Sequence, residues 1–186
     1  MGFGGRCRIL SISALCFLAM VLNPGAVFGS VCAVVKIQIE QTVSLERQGF
    51  EAFLSVSNAS VDTSLDNVNV EVNFTDEEGN PVLATSDPNN TEASFFINVD
   101  SMKAIDAVDG TGVILPNSVA EVRWLIIPAP GASNGFDQGT LYYVGATLDY
   151  KILDENFSTI VSPDYIHVKP MPELTLDYFL PEDVLW

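Results

Sequence analysis

Asp66–Ala84 reads DNVNVEVNFTDEEGNPVLA. Val68, Val70, Val72 and Phe74 alternate with Asn67, Asn69, Glu71 and Asn73. That period of two gives a strand one dry face and one wet face. Asp76-Glu77-Glu78-Gly79-Asn80-Pro81 follows. Gly79 accepts a positive φ, and Asn80 tolerates one. Pro81 fixes its own φ and lacks a ladder donor, which suits the first residue of a strand or an edge. Val82-Leu83-Ala84 then returns, so the stretch predicts a hairpin with an acidic tip.

Upstream, Val35, Ile37, Ile39, Val43 and Leu45 alternate with polar residues and predict one strand, with Gln41 misplaced on its dry side. Phe50, Ala52, Leu54 and Val56 form the dry face of the next strand. Downstream, Phe95, Ile97 and Val99 predict a short strand. The Ser101–Pro116 segment reads as a crossing loop, with one helical turn at Met102–Val108 stopped by Asp109-Gly110-Thr111-Gly112. Ala120, Val122, Trp124 and Ile126 alternate again. Leu125 and Ile127 are apolar on its other face, so that strand is expected to be buried on both sides near its end. Pro128–Gln138 (PAPGASNGFDQ) reads as a flexible loop. Tyr142, Val144, Ala146, Leu148 and Tyr150 mark the clearest later strand, and Gly145 opposite them signals a bulge or a close approach. Phe157–Val161 and Tyr165–Lys169 form one strand broken at Ser162-Pro163. Seven or eight short strands and no long helix predict an all-β fold, an antiparallel immunoglobulin-like β-sandwich, with a closed barrel as the alternative.

The first residues read as a leader rather than as part of the fold. Arg6 and Arg8 precede the uncharged, mostly apolar run Ile9–Leu22, broken at Asn23-Pro24-Gly25. That run falls short of the ~20 residues that span a bilayer. Residues 1–29 are therefore expected to be a cleaved signal peptide, touching membrane only during export. About 157 residues remain after Gly29, enough for one domain with a real core. Without Arg6 and Arg8, six basic residues face all 24 acidic ones, a net charge of −18. Such a surface repels nucleic acid and anionic membranes. Cys7 and Cys16 leave with the leader and Cys32 stands alone, so no disulfide forms within the mature chain. The composition points to a bacterial protein that is secreted or held at the cell envelope.

At this point the chain resembles a family. FEAFLSVSNAS, LDNVNVEVNFTDEEGNPV, VAEVRWLIIP and YYVGATLDYKI are similar to the immunoglobulin-like modules of large bacterial secreted and surface proteins. The pattern is a strand ending in V-x-N, a strand entered by N-V-x-V and a D-E-x-G-N-P-V hairpin. It covers most of residues 34–170. The resemblance implies a sandwich domain over 30–170 with a structural or adhesive role, partnered by neighbouring modules or a surface protein. Residues 171–186 read as a linker and an orphan strand, the start of a next module. Leu174, Leu176 and Tyr178, with Phe179 beside them, are the candidate partner-binding residues there; the edge strands and this C-terminal strand are the expected contact surfaces, and an unpaired Leu174–Leu180 could add to a neighbour's sheet. The closing Val184-Leu185-Trp186 also admits an outer-membrane barrel, against which Pro181, Asp183 and the low strand count weigh.

Candidate sites are few. Asp76, Glu78 and Asn80, with Glu77, gather oxygen ligands at one turn and are the candidate calcium site. Calcium takes roughly six to eight oxygens at about 2.3–2.6 Å. Asp106 with Asp109, and Asp154-Glu155-Asn156, are further acidic groups. Phe53, Tyr143, Tyr165 and Phe179 fall opposite the dry faces, and an exposed aromatic row of this kind would make the chain a carbohydrate-binding module. Trp124 is expected in the core. Asn58, Asn73, Asn89 and Asn156 head N-x-[ST] triplets. His167 is the only histidine, and no catalytic motif is present, so no enzyme is expected.

Overall fold

The computed structural model describes residues 34–172. The leader, the three cysteines, and Leu174, Leu176, Tyr178 and Phe179 lie outside the described residues. Eleven strands follow one another: β1 Val34–Ile39, β2 Val43–Leu45, β3 Phe50–Asn58, β4 Leu65–Thr75, β5 Pro81–Val82, β6 Ala84–Thr85, β7 Phe95–Lys103, β8 Asp109–Ile114, β9 Ser118–Pro128, β10 Thr140–Ile152 and β11 Glu155–Lys169. Among the described residues there is no helix. One sheet has the order β1-β3-β9-β7-β6. The other has the order β2-β11-β10-β4-β5, with β8 also pairing β4. Pairing is antiparallel except between β2 and β11 and between β6 and β7.

The dry faces turn toward each other. Leu54, Val56, Val122, Trp124 and Ile126 of the first sheet share one core with Phe74, Val144, Leu148, Ile166 and Val168 of the second. Phe74 stacks on Phe95 with centroids 4.6 Å apart, and Phe95 meets Tyr142 edge-on at 4.9 Å. Aromatic pairs of this kind contribute roughly 0.5–1.5 kcal/mol beyond their buried area. The fold is the expected β-sandwich, and the closed-barrel alternative does not hold because the two sheets stay separate.

Several local expectations are corrected. The first strand is two strands. Ile39 ends β1 in one sheet, the chain crosses at Glu40–Thr42, and β2 joins the other sheet parallel to β11. The crossing shifts the parity, so Val43 is 46% exposed and Ser44 is buried, its hydroxyl donating to the Gln48 carbonyl at 2.8 Å. The expected crossing loop contains strand. β7 runs on through Met102 to Lys103, and β8 includes the glycines read as breakers. Gly112 is required there, because a Cβ would overlap the Ala107 carbonyl oxygen. Leu125 is not on a second buried face, being 39% exposed on the outside of its sheet. Gly145 is both things it signalled. The register shifts between Val144 and Ala146, opposite Ser162-Pro163, and a Cβ on Gly145 would sit 2.7 Å from Asn73 Oδ1.

The loop after β9 is pinned rather than loose. Ser133 is buried, and its amide and hydroxyl donate to Glu46 Oε1 at 2.9 and 2.6 Å. The Tyr142 hydroxyl donates to the Ala132 carbonyl, and the Ala129 amide to that of Ser94 at 2.9 Å. Burial pushes the Glu46 carboxyl up, but the Ser133 and Gly131 bonds and the Arg47 charge together hold it below its ordinary value.

Candidate functional site

The acidic turn is a brace. The Asp76 carboxylate accepts the Asn80 amide at 2.7 Å and the Asn80 side-chain nitrogen at 2.9 Å. Gly79 takes φ 84° beneath it and donates to the Asp76 carbonyl at 3.1 Å. The Asn80 side chain first, then turn amides, hold the Asp76 carboxyl below its usual range. Asp76 and Asn80 therefore meet as the sequence suggests, while Glu77 and Glu78 face solvent. The Asp109 carboxyl is likewise lowered by Thr111, whose hydroxyl and amide donate at 2.6 and 3.1 Å. Asp154 is half of a two-residue turn, with Leu153 at φ 48° and Asp154 at φ 68°, the paired positive values of a tight hairpin. Among the described residues no three Asp, Glu, His or Cys side chains converge as a metal site would require.

The aromatic residues do not form one row. Phe53 lies on the outside of the first sheet under the Arg123 guanidinium, 4.9 Å from its ring centre. Arg123 is held there by Glu51 at 3.2 Å and Glu40 at 3.6 Å. Tyr143 and Tyr165 pair across β10 and β11 on the outside of the second sheet. His167 meets Tyr165 edge-on at 6.2 Å, opposite Leu141 and Val43. Tyr165 is 44% and Val43 46% exposed in this group.

Asn58, the end of the V-x-N pattern, is 1% exposed. Its side-chain nitrogen donates to the Thr63 carbonyl at 2.9 Å and is shared with Ile114 and Leu115 at 3.2 Å, while its oxygen accepts the Ser60 amide at 3.1 Å. It fastens the end of β3 to the end of β8 and is closed to modification in the folded domain. Asn73, Asn89 and Asn156 are exposed. A buried hub of this kind was not visible in the N-x-[ST] triplet that marked the residue.

Contact at edge strands was expected, but the sequence did not say which edge stays open. β6 covers β7 only at Phe95 and Phe96. Beyond that, among the described residues, Ile97–Lys103 has β9 as its one neighbour. On β4, β8 takes the first half and β5 takes Phe74 and Thr75. The Val70 amide reaches Val108, which leaves Glu71–Asn73 between the two. The inward residues along this side are only part-covered. Val99 is 43% and Met102 40% exposed, although both point from β7 toward the core. A cleft of about 430 Å³ runs between the edges, lined by Val70, Val72, Ile97, Val99 and Trp124. A neighbouring cleft of about 370 Å³ continues it past Val72 to Val82 and Leu83. Among the described residues that line them, the one carboxylate is Glu71.

Similar solved structures match the sandwich at low identity. A family 123 glycoside hydrolase from Clostridium perfringens is 11% identical, over 74% of this chain and 28% of its own, with a TM-score of 0.43. The periplasmic chaperone SfaE is 17% identical over 73% of this chain and 58% of its own, at 0.39. A cohesin module from a Clostridium perfringens family 33 glycoside hydrolase is 15% identical over 75% and 99%, at 0.38. The chain thus spans about a quarter of the first structure and under two thirds of the second. No protein-family model matches the chain, and no curated protein does either.

Proposed function

We propose that this chain is an exported, non-catalytic immunoglobulin-like module that acts by surface contact, as a structural or adhesive part of a bacterial envelope or secreted assembly. The observation that carries the reading is the open side between β4 and β7, where strand edges and inward apolar residues meet solvent together. Natural sheets ordinarily blunt or cover such edges, so a persistent one marks a place of contact. The leader-like first 29 residues and the charge of −18 after it support export and a soluble surface. The test is the intact mass of the native protein from fractionated cells and medium. A mass equal to Ser30–Trp186 in the exported fraction supports the reading. A chain retaining Met1 in the cytoplasm overturns it.

A second reading, a carbohydrate-binding module, is favoured by the Tyr143–Tyr165 pair with Leu141 and His167 beside it. Sugars stack on such flat aromatic faces. Glycan binding that weakens at least tenfold in Tyr165→Ala would establish it, and binding unaffected by that change would remove it.

A further inference from the structure

We infer that the open side is an acceptor slot for a strand, and that its occupant is Leu174–Leu180 of a second copy of this chain. The inference rests on the contact-module reading and names the partner. In Leu174–Leu180, Leu174, Leu176, Tyr178 and Leu180 fall on one face of an extended chain, with Thr175, Asp177 and Phe179 on the other. The uncovered stretch of β7, Ile97–Lys103, is seven residues long, as is Leu174–Leu180. Main-chain hydrogen bonds to β7 would give a docked strand its affinity. Its alternate side chains would enter the cleft over Val72, Ile97, Val99 and Trp124.

Reach decides between a chain's own tail and a second copy's. β11 ends at Lys169, and β10 and β4 stand between it and the slot. Three strand spacings of about 4.8 Å make roughly 14 Å sideways. Lengthwise, Val168 lies opposite Thr140 while Asn73 lies opposite Gly145, five residues further along β10. At about 3.3 Å per residue that adds roughly 16 Å, and the direct path exceeds about 20 Å. Five steps from Lys169 to Leu174 cover at most about 18 Å fully extended. The direct route is also obstructed, because β5 and β6 pair at the near end of β4 and β7. On these spacings the chain's own strand falls short of full register in its own slot, whereas a second copy's meets no such limit.

Both copies carry the same −18 charge, so association should strengthen with salt, the reverse of an interface built on ion pairs. The experiment is the molar mass by light scattering of the purified exported protein, at 50 and 500 mM NaCl. Beside it run a chain ending at Pro172, Leu176→Asp and Val99→Glu. The expected result is a mass above the monomer that rises with salt, and a monomer for all three variants. Val99 is exposed and Leu176 is outside the described residues, and the inference requires both point variants to keep the parent's unfolding midpoint. A peptide of residues 172–186 should then bind the shortened chain one to one, and bind at least tenfold more weakly when it is Val99→Glu. A parent that stays monomeric at 100 μM in both salts overturns the inference, as does a shortened chain that still associates. A monomeric parent whose midpoint falls sharply on shortening also overturns it, by showing the strand held within one chain. An exported monomer would defeat this inference alone, while a cytoplasmic chain would defeat the reading beneath it.

Discussion

The two long sides of the sandwich are finished differently. On one side the chain closes the gap itself. β1 lies in the first sheet, β2 in the second, and the crossing between them ties the sheets together. Asp164 on β11 accepts the Ile39 amide at 2.9 Å, so a side chain of one sheet caps a backbone donor of the other. Ile37 beneath is 2% exposed. On the opposite side β5 and β6 are two residues each and stop at Thr85. There Val99, pointing inward like Ile37, remains 43% exposed. Both β1 and β7 lie at edges of their sheet, and similar residues in them differ because β1 packs against β11 across the gap and is bonded to it at Ile39, whereas among the described residues Ile97–Lys103 has no such cover. Burial belongs to what lies against a strand, not to the alternation within it.

That contrast can be tested by substitution, starting with the largest effect. Ile37→Ala on the closed side should cost about 2–4 kcal/mol in urea unfolding, since it opens a cavity under a fixed edge. A loss below about 1 kcal/mol would mean that the closed side is not closed. Asp164→Ala should cost about 1–2 kcal/mol, because it strands the Ile39 amide at the junction. Glu46→Gln should cost about 1 kcal/mol by weakening the bonds that pin Ser133. It should also change the acid limb of stability. The Glu46 carboxyl is lowered by folding, so its contribution is fully present above the unfolded pKa, near 4.5, and fades as pH falls through the lower folded value. The parent should therefore lose stability below about pH 4.5 more steeply than Glu46→Gln, and parallel curves would remove this role. Val99→Ala, last, should cost under about 1 kcal/mol in the shortened chain, since little of the side chain is buried.

Much of the sandwich was legible in local pattern. Val68 and Phe74 are buried as their alternation implies, Pro81 begins β5, and Trp124 is 4% exposed in the core. What was not legible depended on residues far away in the chain. β8 forms because β4 offers it an edge, with Leu65 opposite Ile114, and its glycines answer the close approach of Ala107 rather than a turn. The Pro128–Gln138 stretch has the composition of a loose loop, yet Glu46, 87 residues before Ser133, holds it. The change of parity at Glu40–Thr42 follows from the change of sheet, which no period of two can announce. Of the candidate sites, Asp76 and Asn80 were placed together correctly, but as partners to each other. That edge strands would offer contact could be expected, but not which one, because an edge is defined by what pairs beside it.

The most direct test of that difference is amide hydrogen exchange on the chain ending at Pro172. An antiparallel edge strand bonds its amides alternately inward to its neighbour and outward to nothing. In Ile97–Lys103 every second amide should exchange orders of magnitude faster than the Ile39 amide, and should become protected when the 172–186 peptide is added. Protection of every amide in Ile97–Lys103 equal to that of the Ile39 amide before any peptide is added would contradict it, by showing that edge already covered.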